Sequence, residues 1–345
     1  MIPWLAKEPS FPKLFWKDRD TEEAIVAAGA THTLHEIPLS QTLPYFGGTS
    51  FTNKRKDALW NEFPPTYFFS PKILKTGKVD TALRPLPKPV KRSDTPDLGD
   101  WEKKVAHALL RIERKEVDKV VMGRRTTLFF NDWIDPLEVV QSLIPNAQRT
   151  TVFCLQLAPH LAFIGASPEK LYVRKGNTLL TEACAGTIPL NSGKHTEKNL
   201  REFAFVKQFI HAELSPLCTS YAWEDDSVIR TAFVEHLYNR FCGTLKEVHA
   251  DAYLIQLLHP TPAMAGFPRT EALRLIEEEE PFERGWYASP LGWVGQEESN
   301  FTVGIRSALI VGKEMHLFAG AGIVKGSNSK KEWEELNLKI RSYIA

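Results

Sequence analysis

Residues 301–319 read FTVGIRSALIVGKEMHLFA and contain two predicted β-strands, Phe301–Val311 and Met315–Ala319. Apolar and polar side chains alternate along the first strand, which places them on opposite faces. One face carries Phe301, Val303 and Ile305, and the other carries Thr302, Gly304 and Arg306. Such alternation is typical of antiparallel sheets, so this segment predicts antiparallel sheet as a main component of the fold.

Similar patterns recur along the chain, mixed with predicted helices. Further strands are predicted at Lys119–Met122, Arg149–Leu157, Leu161–Ile164, Leu171–Arg174 and Thr178–Ala183. Helices are predicted over 101–115, 135–143, 196–214, 247–257, 269–279 and 329–343, the first with Asp100 as its N-cap and the last opening with a capping box of Ser329 and Glu332. We expect an α+β fold in which large, mostly antiparallel sheets pack together with helices on the outside.

The first 95 residues are rich in aromatic residues and proline and show weak periodicity. The best linker candidate is RPLPKPV at residues 84–90, because this segment is extended and cannot lie inside a sheet. We predict a single structural domain, in which residues 1–95 form a variable N-terminal part and residues 96–345 carry the functional site.

The composition is that of an ordinary globular protein with enough apolar residues for a large core. The chain has 345 residues, 43% of them hydrophobic, and 43 Lys and Arg residues balance 42 Asp and Glu residues. This balance argues against nucleic-acid binding, which needs an excess of basic residues. We also expect no membrane attachment, because no apolar run approaches the roughly 18 residues that a spanning helix needs.

The four cysteines are widely spaced and contain no CxxC pair; they are Cys154, Cys184, Cys218 and Cys242. In a chain of this length they indicate reduced thiols rather than a disulfide framework or a zinc site. The N-terminus, MIPWLAKE, lacks a basic segment followed by an apolar one, which argues against a secretory signal. The predicted location is the cytoplasm.

A proline-rich loop, LHPTPAMAGFP at residues 258–268, holds His259 in a rigid setting. Its prolines exclude both helix and continuous strand. The loop could present an imidazole to a ligand, or it could be a structural turn that carries a surface histidine. The sequence of the loop alone leaves both interpretations open.

Two predicted helices carry glutamates that could bind a cation. Glu202 lies at the edge of an apolar helix face, where burial would require a cationic partner or a metal ion. Glu335 precedes Lys339 by four residues, and a surface ion pair is the favoured interpretation of that spacing. Two glutamates brought together from separate helices could also hold Mg²⁺, which needs only one or two protein carboxylates.

Arg306 and the stretch Ala319–Gly322 are candidates for binding an anion. An arginine beside a glycine on a strand can receive a carboxylate in bidentate fashion. The backbone N–H groups of Ala319–Gly322 could form an anion-binding nest. A surface arginine and an ordinary turn are the alternatives.

Lys119 and Glu169 are candidates for proton transfer. A lysine that opens an apolar strand, as Lys119 does, commonly protects a sheet edge. If it is instead desolvated in a cleft, its pKa falls and it can act as a base. Glu169 follows Pro168 in a sharp turn before a strand, a position that permits catalysis without requiring it.

Nine sequence blocks, in order, resemble those of the chorismate-utilising enzymes and specifically of the isochorismate synthases. The blocks are Lys119–Val121, Gly165–Glu169, Ala185–Thr187, Glu197–Glu202, the His259 loop, Arg284–Tyr287, Ile305–Arg306, Gly320–Val324 and Glu332–Glu335. The N-terminal part is similar, more weakly, to the menaquinone-type branch of this family through Trp4–Leu5, Trp16–Arg19 and Phe46–Phe51.

The resemblance implies general acid–base catalysis without a covalent intermediate. Lys119 would be the base that activates water for attack at C2 of chorismate, and Glu169 the acid that protonates the departing C4 hydroxyl. Glu202 and Glu335 would bind Mg²⁺. The residues implied to bind substrate are Gly186, Thr187, His259, Tyr287, Arg306, Gly320 and Lys339.

Two positions separate the isochorismate synthases from related amine-forming enzymes. Ala185 stands where aminodeoxychorismate synthases often carry a nucleophilic lysine, and Lys119 stands where anthranilate synthases usually have glutamine. The chain departs from the family pattern at three places. Phe203 stands where most relatives have histidine, Leu336 replaces the commoner threonine, and the segment after Thr187 is short.

The resemblance therefore implies a Mg²⁺-dependent isomerase that reversibly converts chorismate to isochorismate. Its small-molecule partner would be chorismate, its pathway menaquinone biosynthesis, and its assembly a monomer or homodimer. A salicylate synthase and a non-catalytic chorismate-binding subunit are the alternatives.

Overall fold

The computed structural model describes residues 1–39, 42–52, 58–79 and 85–344. Within these residues the chain forms seven α-helices and eighteen strands. The helices are α1 Ile2–Lys7, α2 Leu98–Glu113, α3 Pro136–Leu143, α4 Glu197–Leu214, α5 Asp251–Leu258, α6 Arg269–Glu279 and α7 Ser329–Ile340. The strands are β1 Lys13–Lys17, β2 Glu23–Leu34, β3 Tyr45–Thr49, β4 Thr66–Lys78, β5 Lys91–Thr95, β6 Lys119–Phe129, β7 Thr151–Ala158, β8 Leu161–Ser167, β9 Lys170–Lys175, β10 Thr178–Pro189, β11 Cys218–Trp223, β12 Ser227–Arg230, β13 Val234–Leu245, β14 Gly266–Phe267, β15 Pro290–Val294, β16 Glu298–Val303, β17 Ser307–Val311 and β18 Glu314–Val324.

Every strand pair in the described part of the chain is antiparallel, and the pairs join the strands into one hydrogen-bonded path. The path runs β13-β10-β9-β16-β15-β3-β4-β2-β1-β7-β8-β17-β18-β6. Strands β11 and β12 extend it beside β13, and β5 and β14 extend it beside β6. One hydrophobic core includes Phe241 near one end of the path and Val120 near the other, so the path folds back on itself. The predicted α+β fold with antiparallel sheets is confirmed.

Strands from the N-terminal part pair directly with strands from the rest of the chain. Strand β1 pairs with β7, and β3 pairs with β15. Of the predicted linker, residues 85–89 form neither helix nor strand, while Arg84 lies outside the described residues. Among the described helices, none has both the length and the apolar character needed to cross a membrane.

The predicted strand Phe301–Val311 is wrong, because the chain breaks at residues 304–306 and forms two strands, β16 and β17. Arg306 adopts a φ of +50° there, which is incompatible with a continuous strand. Strand β16 pairs with β9 while β17 pairs with β8, so the chain crosses between two separate parts of the sheet. The connection Pro168–Glu169 makes the same crossing between β8 and β9.

These two crossings lie side by side and are joined by backbone hydrogen bonds. The Val303 N–H donates to the Glu169 carbonyl at 3.0 Å, and the Ala166 N–H donates to the Arg306 carbonyl at 3.1 Å. Two residues predicted to act on a ligand, Glu169 and Arg306, are therefore fixed at neighbouring points of the fold.

Two predicted helix caps are wrong by a few residues. Helix α7 is capped by Asn328, whose side chain accepts from the Lys331 N–H at 3.1 Å, and Ser329 is already inside the helix. Helix α2 is capped by Asp97 rather than Asp100, because Asp97 accepts the Asp100 N–H. Since Glu332 does not serve a capping box, its carboxylate is available for an ion pair with another helix.

Candidate active site

A cavity lies where β6, β10, β13 and β18 approach helices α4 and α7. It is partly open to solvent, and the space enclosed within it is about 60 Å³. The predicted site residues that line it are Glu169, Thr187, Glu202, Tyr287, Arg306, Gly320 and Lys339. Its apolar wall includes Val121, Ala185, Met264 and Phe318.

Lys119 lies behind this wall, fully buried against the carboxylate of Glu202. Its Nζ is 3.1 Å from Glu202 Oε1, but the contact is poorly aligned, and among the described residues Nζ has no well-oriented acceptor. Burial lowers the pKa of Lys119, and the neighbouring Glu202 opposes that fall. Lys119 does not guard a sheet edge, because β6 is paired on one side with β14 and on the other with β18.

Gly322 of β18 makes room for the Lys119–Glu202 pair. A Cβ atom at this position would overlap the Glu202 carboxylate and would come within 3.1 Å of Lys119 Cε. Gly320, two residues earlier, faces the same cavity and has Tyr287 Oη 2.6 Å from the position of a Cβ. The two glycines thus leave space for functional side chains along one face of the strand.

The predicted anion-binding nest at Ala319–Gly322 is wrong. These residues form the middle of β18, and their backbone is paired with β6, for example Gly320 with Gly123. A nest requires N–H groups that converge outside a regular ladder. The stretch contributes to the cavity through its missing side chains and through the Gly320 carbonyl, which accepts from Lys339 Nζ at 2.7 Å.

Glu169 is almost completely buried at the chain crossing that carries it. Its backbone carbonyl accepts from Thr302 Oγ1 at 2.6 Å, which helps to fix the turn. Burial and the nearby Glu182 raise the pKa of Glu169 to about 8, against the opposing effect of Lys119, Arg19 and Lys339. Glu169 is therefore a carboxylic acid that still carries its proton near neutral pH.

Arg306 is held in the cavity by a histidine that the sequence analysis did not identify. Arg306 Nη2 donates to His236 Nε2 at 3.0 Å, so the other ring nitrogen, Nδ1, carries the proton and donates to Thr187 Oγ1, also at 3.0 Å. Burial, Arg306, Lys339 and His195 keep the pKa of His236 well below its usual range. The imidazole is thus neutral and orients both the guanidinium and the hydroxyl.

Helix α7 contributes the ion pair that its i,i+4 spacing predicted, but the pair is partly buried beside the cavity rather than on the open surface. Lys339 Nζ donates to Glu335 Oε1 at 2.6 Å, and both side chains are less than one-fifth exposed. Lys339 lines the cavity and so presents a positive charge to it.

A third lysine near the site, Lys198 of α4, was not predicted from the sequence. It forms a 2.5 Å ion pair with Glu332 of α7. Glu332, Glu202 and Glu335 together raise its pKa in spite of burial. Burial would raise the pKa of Glu202, but Lys119, Lys198 and Lys339 hold it below its usual range. Glu202 is therefore a carboxylate that remains ionised.

The carboxylates of Glu202 and Glu335 fit the requirements of a Mg²⁺ site. They come from two different helices, supply the oxygen donors that Mg²⁺ prefers, and belong to one electrostatic cluster around Lys198. In the described part of the chain, no three His, Cys, Asp or Glu side chains are grouped so as to enclose a metal. Mg²⁺ does not need such a cage, because it keeps several waters and uses few protein ligands.

His259 and Gly186 are not brought to the cavity wall. His259 Nε2 lies 3.3 Å from the Phe51 carbonyl, its ring meets the Phe51 ring edge-on at 5.5 Å, and burial lowers its pKa to about 4. The predicted contact of His259 with substrate is therefore not supported, because these contacts turn the ring toward Phe51.

A Cβ on Gly186 would lie 2.8 Å from the Asn199 carbonyl, so this residue faces α4, while Ala185 and Thr187 beside it line the cavity.

The fold and the cavity together define a small-molecule enzyme site with a buried amine, a protonated carboxyl group and cationic side chains. The family model described as "Chorismate binding enzyme" matches residues 74–345. The chain therefore belongs to the chorismate-binding enzyme family.

Several relatives in this family carry the name isochorismate synthase. The MenF protein of Bacillus subtilis is 37% identical over 262 residues, which are 72% of this chain but only 55% of that protein. The MenF protein of Haemophilus influenzae is 30% identical over an alignment covering all of this chain and 88% of that protein. The solved structure of the menaquinone-specific isochorismate synthase MenF from Escherichia coli superimposes with a TM-score of 0.83 at 26% identity, over all of this chain and 91% of that one.

Proposed function

We propose that this chain is an isochorismate synthase, which reversibly converts chorismate to isochorismate. The observation that carries the proposal is the pair of proton-transfer candidates at the cavity. Glu202 lines the cavity and contacts Lys119, which is buried directly behind the wall, and burial of Glu169 on the same wall raises its pKa to about 8. An amine with a lowered pKa and a carboxyl group with a raised pKa suit the base and the acid of one reaction. The names of the similar proteins support the same reaction.

In the forward direction Lys119 takes a proton from water as the water oxygen bonds to C2 of chorismate. The ring double bonds shift, the C4–oxygen bond breaks, and Glu169 gives its proton to the departing hydroxyl, which leaves as water. Lys119 ends protonated and Glu169 ionised, so one proton returns from Lys119 to Glu169 through solvent before the next turnover. In the reverse reaction the same two groups exchange roles.

The cationic residues of the cavity would hold the carboxylates of the substrate. Arg306, oriented by His236, offers guanidinium donors, and Lys339 offers a point charge. Tyr287 Oη and Thr187 Oγ1 add neutral donors on the same wall. Because these groups are fixed before substrate enters, they would orient the ring for attack at C2 with little loss of entropy.

Glu202 and Glu335 would hold Mg²⁺, which would neutralise a substrate carboxylate and help to position it. Lys119, Lys198 and Lys339 lower the pKa of Glu202 and so keep it ionised, and Lys339 forms an ion pair with Glu335. We also propose that the protein acts in menaquinone synthesis, because the similar Escherichia coli protein is described as menaquinone-specific. A cytoplasmic location is supported by four cysteines that are all free thiols.

The experiment is to incubate the purified chain with chorismate and Mg²⁺ and to resolve the products by chromatography. We expect an equilibrium mixture of chorismate and isochorismate, approached from either side. A mixture of salicylate and pyruvate would instead identify a salicylate synthase. Binding of chorismate without any product would identify a non-catalytic binding subunit, and either result would overturn the proposal.

A further inference from the structure

The turn that carries Glu169 is held on both sides by two buried charged residues. Arg19, in the connection between β1 and β2, donates through Nη1 to the Pro168 carbonyl. Glu182 of β10 accepts the Lys170 N–H through Oε2 at 3.1 Å. The residue before Glu169 and the residue after it are therefore each bound by a side chain from another element.

Arg19 and Glu182 also bind each other, so the two contacts form one unit. Arg19 Nη2 donates to Glu182 Oε1, and the side chains are 2% and 0% exposed. Tyr238 Oη donates to the same Glu182 oxygen at 2.7 Å. Charge-assisted hydrogen bonds between buried groups are strong and directional, so this unit restricts the backbone on both sides of Glu169.

The Arg19–Glu182 pair also contributes to the electrostatic environment of the Glu169 carboxyl. The titratable and charged groups that act on this carboxyl are Glu182 and Cys184 on β10, Lys119 on β6, Arg19 before β2 and Lys339 on α7. Glu182 favours the protonated form of Glu169, and Arg19 favours the ionised form. The two members of the pair thus have opposite effects on the same proton.

We propose that Arg19 and Glu182 are positioning residues, which clamp the Pro168–Lys170 peptide so that Glu169 is aimed into the cavity as a proton donor. The inference rests on the proposed function of Glu169 as the acid. It assigns to the N-terminal part of the chain a direct role in organising the site, since Arg19 reaches across to β10 and to the Glu169 turn.

The test compares kcat and KM for Glu182→Gln and Arg19→Lys with the wild-type enzyme. Gln keeps the shape of Glu182 but removes its charge, and Lys keeps the charge of Arg19 but cannot reach the Pro168 carbonyl and Glu182 together. Because small displacements of a reacting group can reduce rates by about 100-fold, we expect kcat to fall by about 10- to 100-fold in each variant while KM stays nearly unchanged. A change in KM without loss of kcat would overturn the proposal.

The pH profile supplies a readout that a purely structural role would not change. Removing the negative charge in Glu182→Gln leaves Arg19 unopposed, so the alkaline loss of kcat/KM, which reports groups of the free enzyme, should move to lower pH. Arg19→Lys keeps its charge, so its alkaline limb should stay near that of the wild type although kcat falls. An unmoved limb in Glu182→Gln would contradict the proposal.

A matched control is the buried pair Arg174–Asp251, in which Arg174 Nη2 lies 2.7 Å from Asp251 Oδ2. Both side chains are buried to a similar extent as Arg19 and Glu182, but their hydrogen bonds go to residues outside the Glu169 turn. Asp251→Asn should reduce thermal stability without changing the pH profile. If Glu182→Gln and Asp251→Asn behave alike, the clamp has no special role, whereas an inactive wild type or an active Glu169→Gln would refute the proposed function itself.

Discussion

Lys119 Nζ lies 3.1 Å from Glu202 Oε1, and this pair is withdrawn from solvent at the edge of the cavity. Each partner has a charge that the other stabilises, yet burial makes the charged form of Lys119 costly. A small change in the charge around Glu202, such as the arrival of a cation, would weaken the hold of Glu202 on the Lys119 proton. The pair therefore links the proposed base to the proposed metal ligand.

Replacing Lys119 by alanine should abolish turnover while sparing chorismate binding. A general base contributes about 10²- to 10⁴-fold to a rate, so kcat should fall by at least about 100-fold. Steady-state kinetics and calorimetric titration with chorismate provide the two measurements. Lys13→Ala is the matched control, because Lys13 is also buried but binds the Ala6 carbonyl outside the cavity. Retained activity in Lys119→Ala would reject its role as base.

The pH dependence of kcat/KM, which reports ionisable groups of the free enzyme, should reveal the proton on Glu169. Because its pKa is raised to about 8, the acid is present below this pH and is lost as the pH rises through it. Glu169→Gln cannot donate a proton, so kcat should fall by about 10²- to 10⁴-fold, and the remaining activity should lack the alkaline limb. An unchanged limb in this variant would assign it to another group.

The same raised pKa should affect stability. The folded state holds the Glu169 proton more tightly than the unfolded state does. The stability that this proton contributes is therefore fully present below the pKa of Glu169 in the unfolded chain, and it is lost as the pH rises through about 8. Thermal unfolding should be measured for the wild type and for Glu169→Gln between pH 5 and pH 9, a range of about four pH units over which the contribution falls. The melting temperature of the wild type should decline more steeply with pH than that of the variant. Parallel curves would mean that the folded-state pKa of Glu169 is not raised.

A methyl group at Gly322 should disable the site without disturbing the fold elsewhere. The added Cβ would overlap the Glu202 carboxylate and crowd Lys119, so the pair would have to separate. We expect kcat for Gly322→Ala to fall by at least about tenfold, given the sensitivity of rates to misplaced groups. Gly99→Ala is the control, because its nearest neighbour would be a side-chain oxygen at 3.5 Å. Equal activity of the two variants would contradict the tight packing at Gly322.

Removal of one carboxylate should weaken the dependence of activity on Mg²⁺. We expect Glu335→Gln to need at least about tenfold more Mg²⁺ for half-maximal activity, as loss of even an indirect metal contact has that effect. Glu334→Gln changes the exposed neighbour on the same helix and should behave as the wild type. An identical Mg²⁺ requirement in the two variants would exclude Glu335 as a ligand.

The sequence predicted the class of fold and most of the cavity wall, because alternation and family blocks are local properties. It did not predict the break at residues 304–306, since alternation continues through Gly304 and Arg306. The positive φ of Arg306 arises because β16 pairs with β9 while β17 pairs with β8. Both partner strands lie far from residues 304–306 in the chain. The stretch Ala319–Gly322 was also assigned wrongly, because its place at the centre of β18 depends on pairing with β6, which is likewise distant in the chain.

The roles of His236 and His259 could not be predicted from residue type. His236 was not identified as a site residue, and His259 was given a substrate contact that the structure does not support. His236 lies within a long strand and gives no local signal, but its partners Arg306 and Thr187 come from other elements. His259 lies in a rigid loop whose sequence could present an imidazole to a ligand. The direction of its ring is set instead by Phe51, a residue more than 200 positions away. In both cases the decisive contact is a long-range hydrogen bond that only the fold can show.

The most direct test of the proposed chemistry is to run the reaction in water enriched in ¹⁸O and to determine the position of the label in isochorismate by mass spectrometry. Attack of water at C2, assisted by Lys119, predicts one ¹⁸O atom in the C2 hydroxyl of the product at the first turnover. Isochorismate formed without solvent oxygen at C2 would mean that the C4 hydroxyl is transferred within the substrate, and it would contradict the roles given to Lys119 and Glu169.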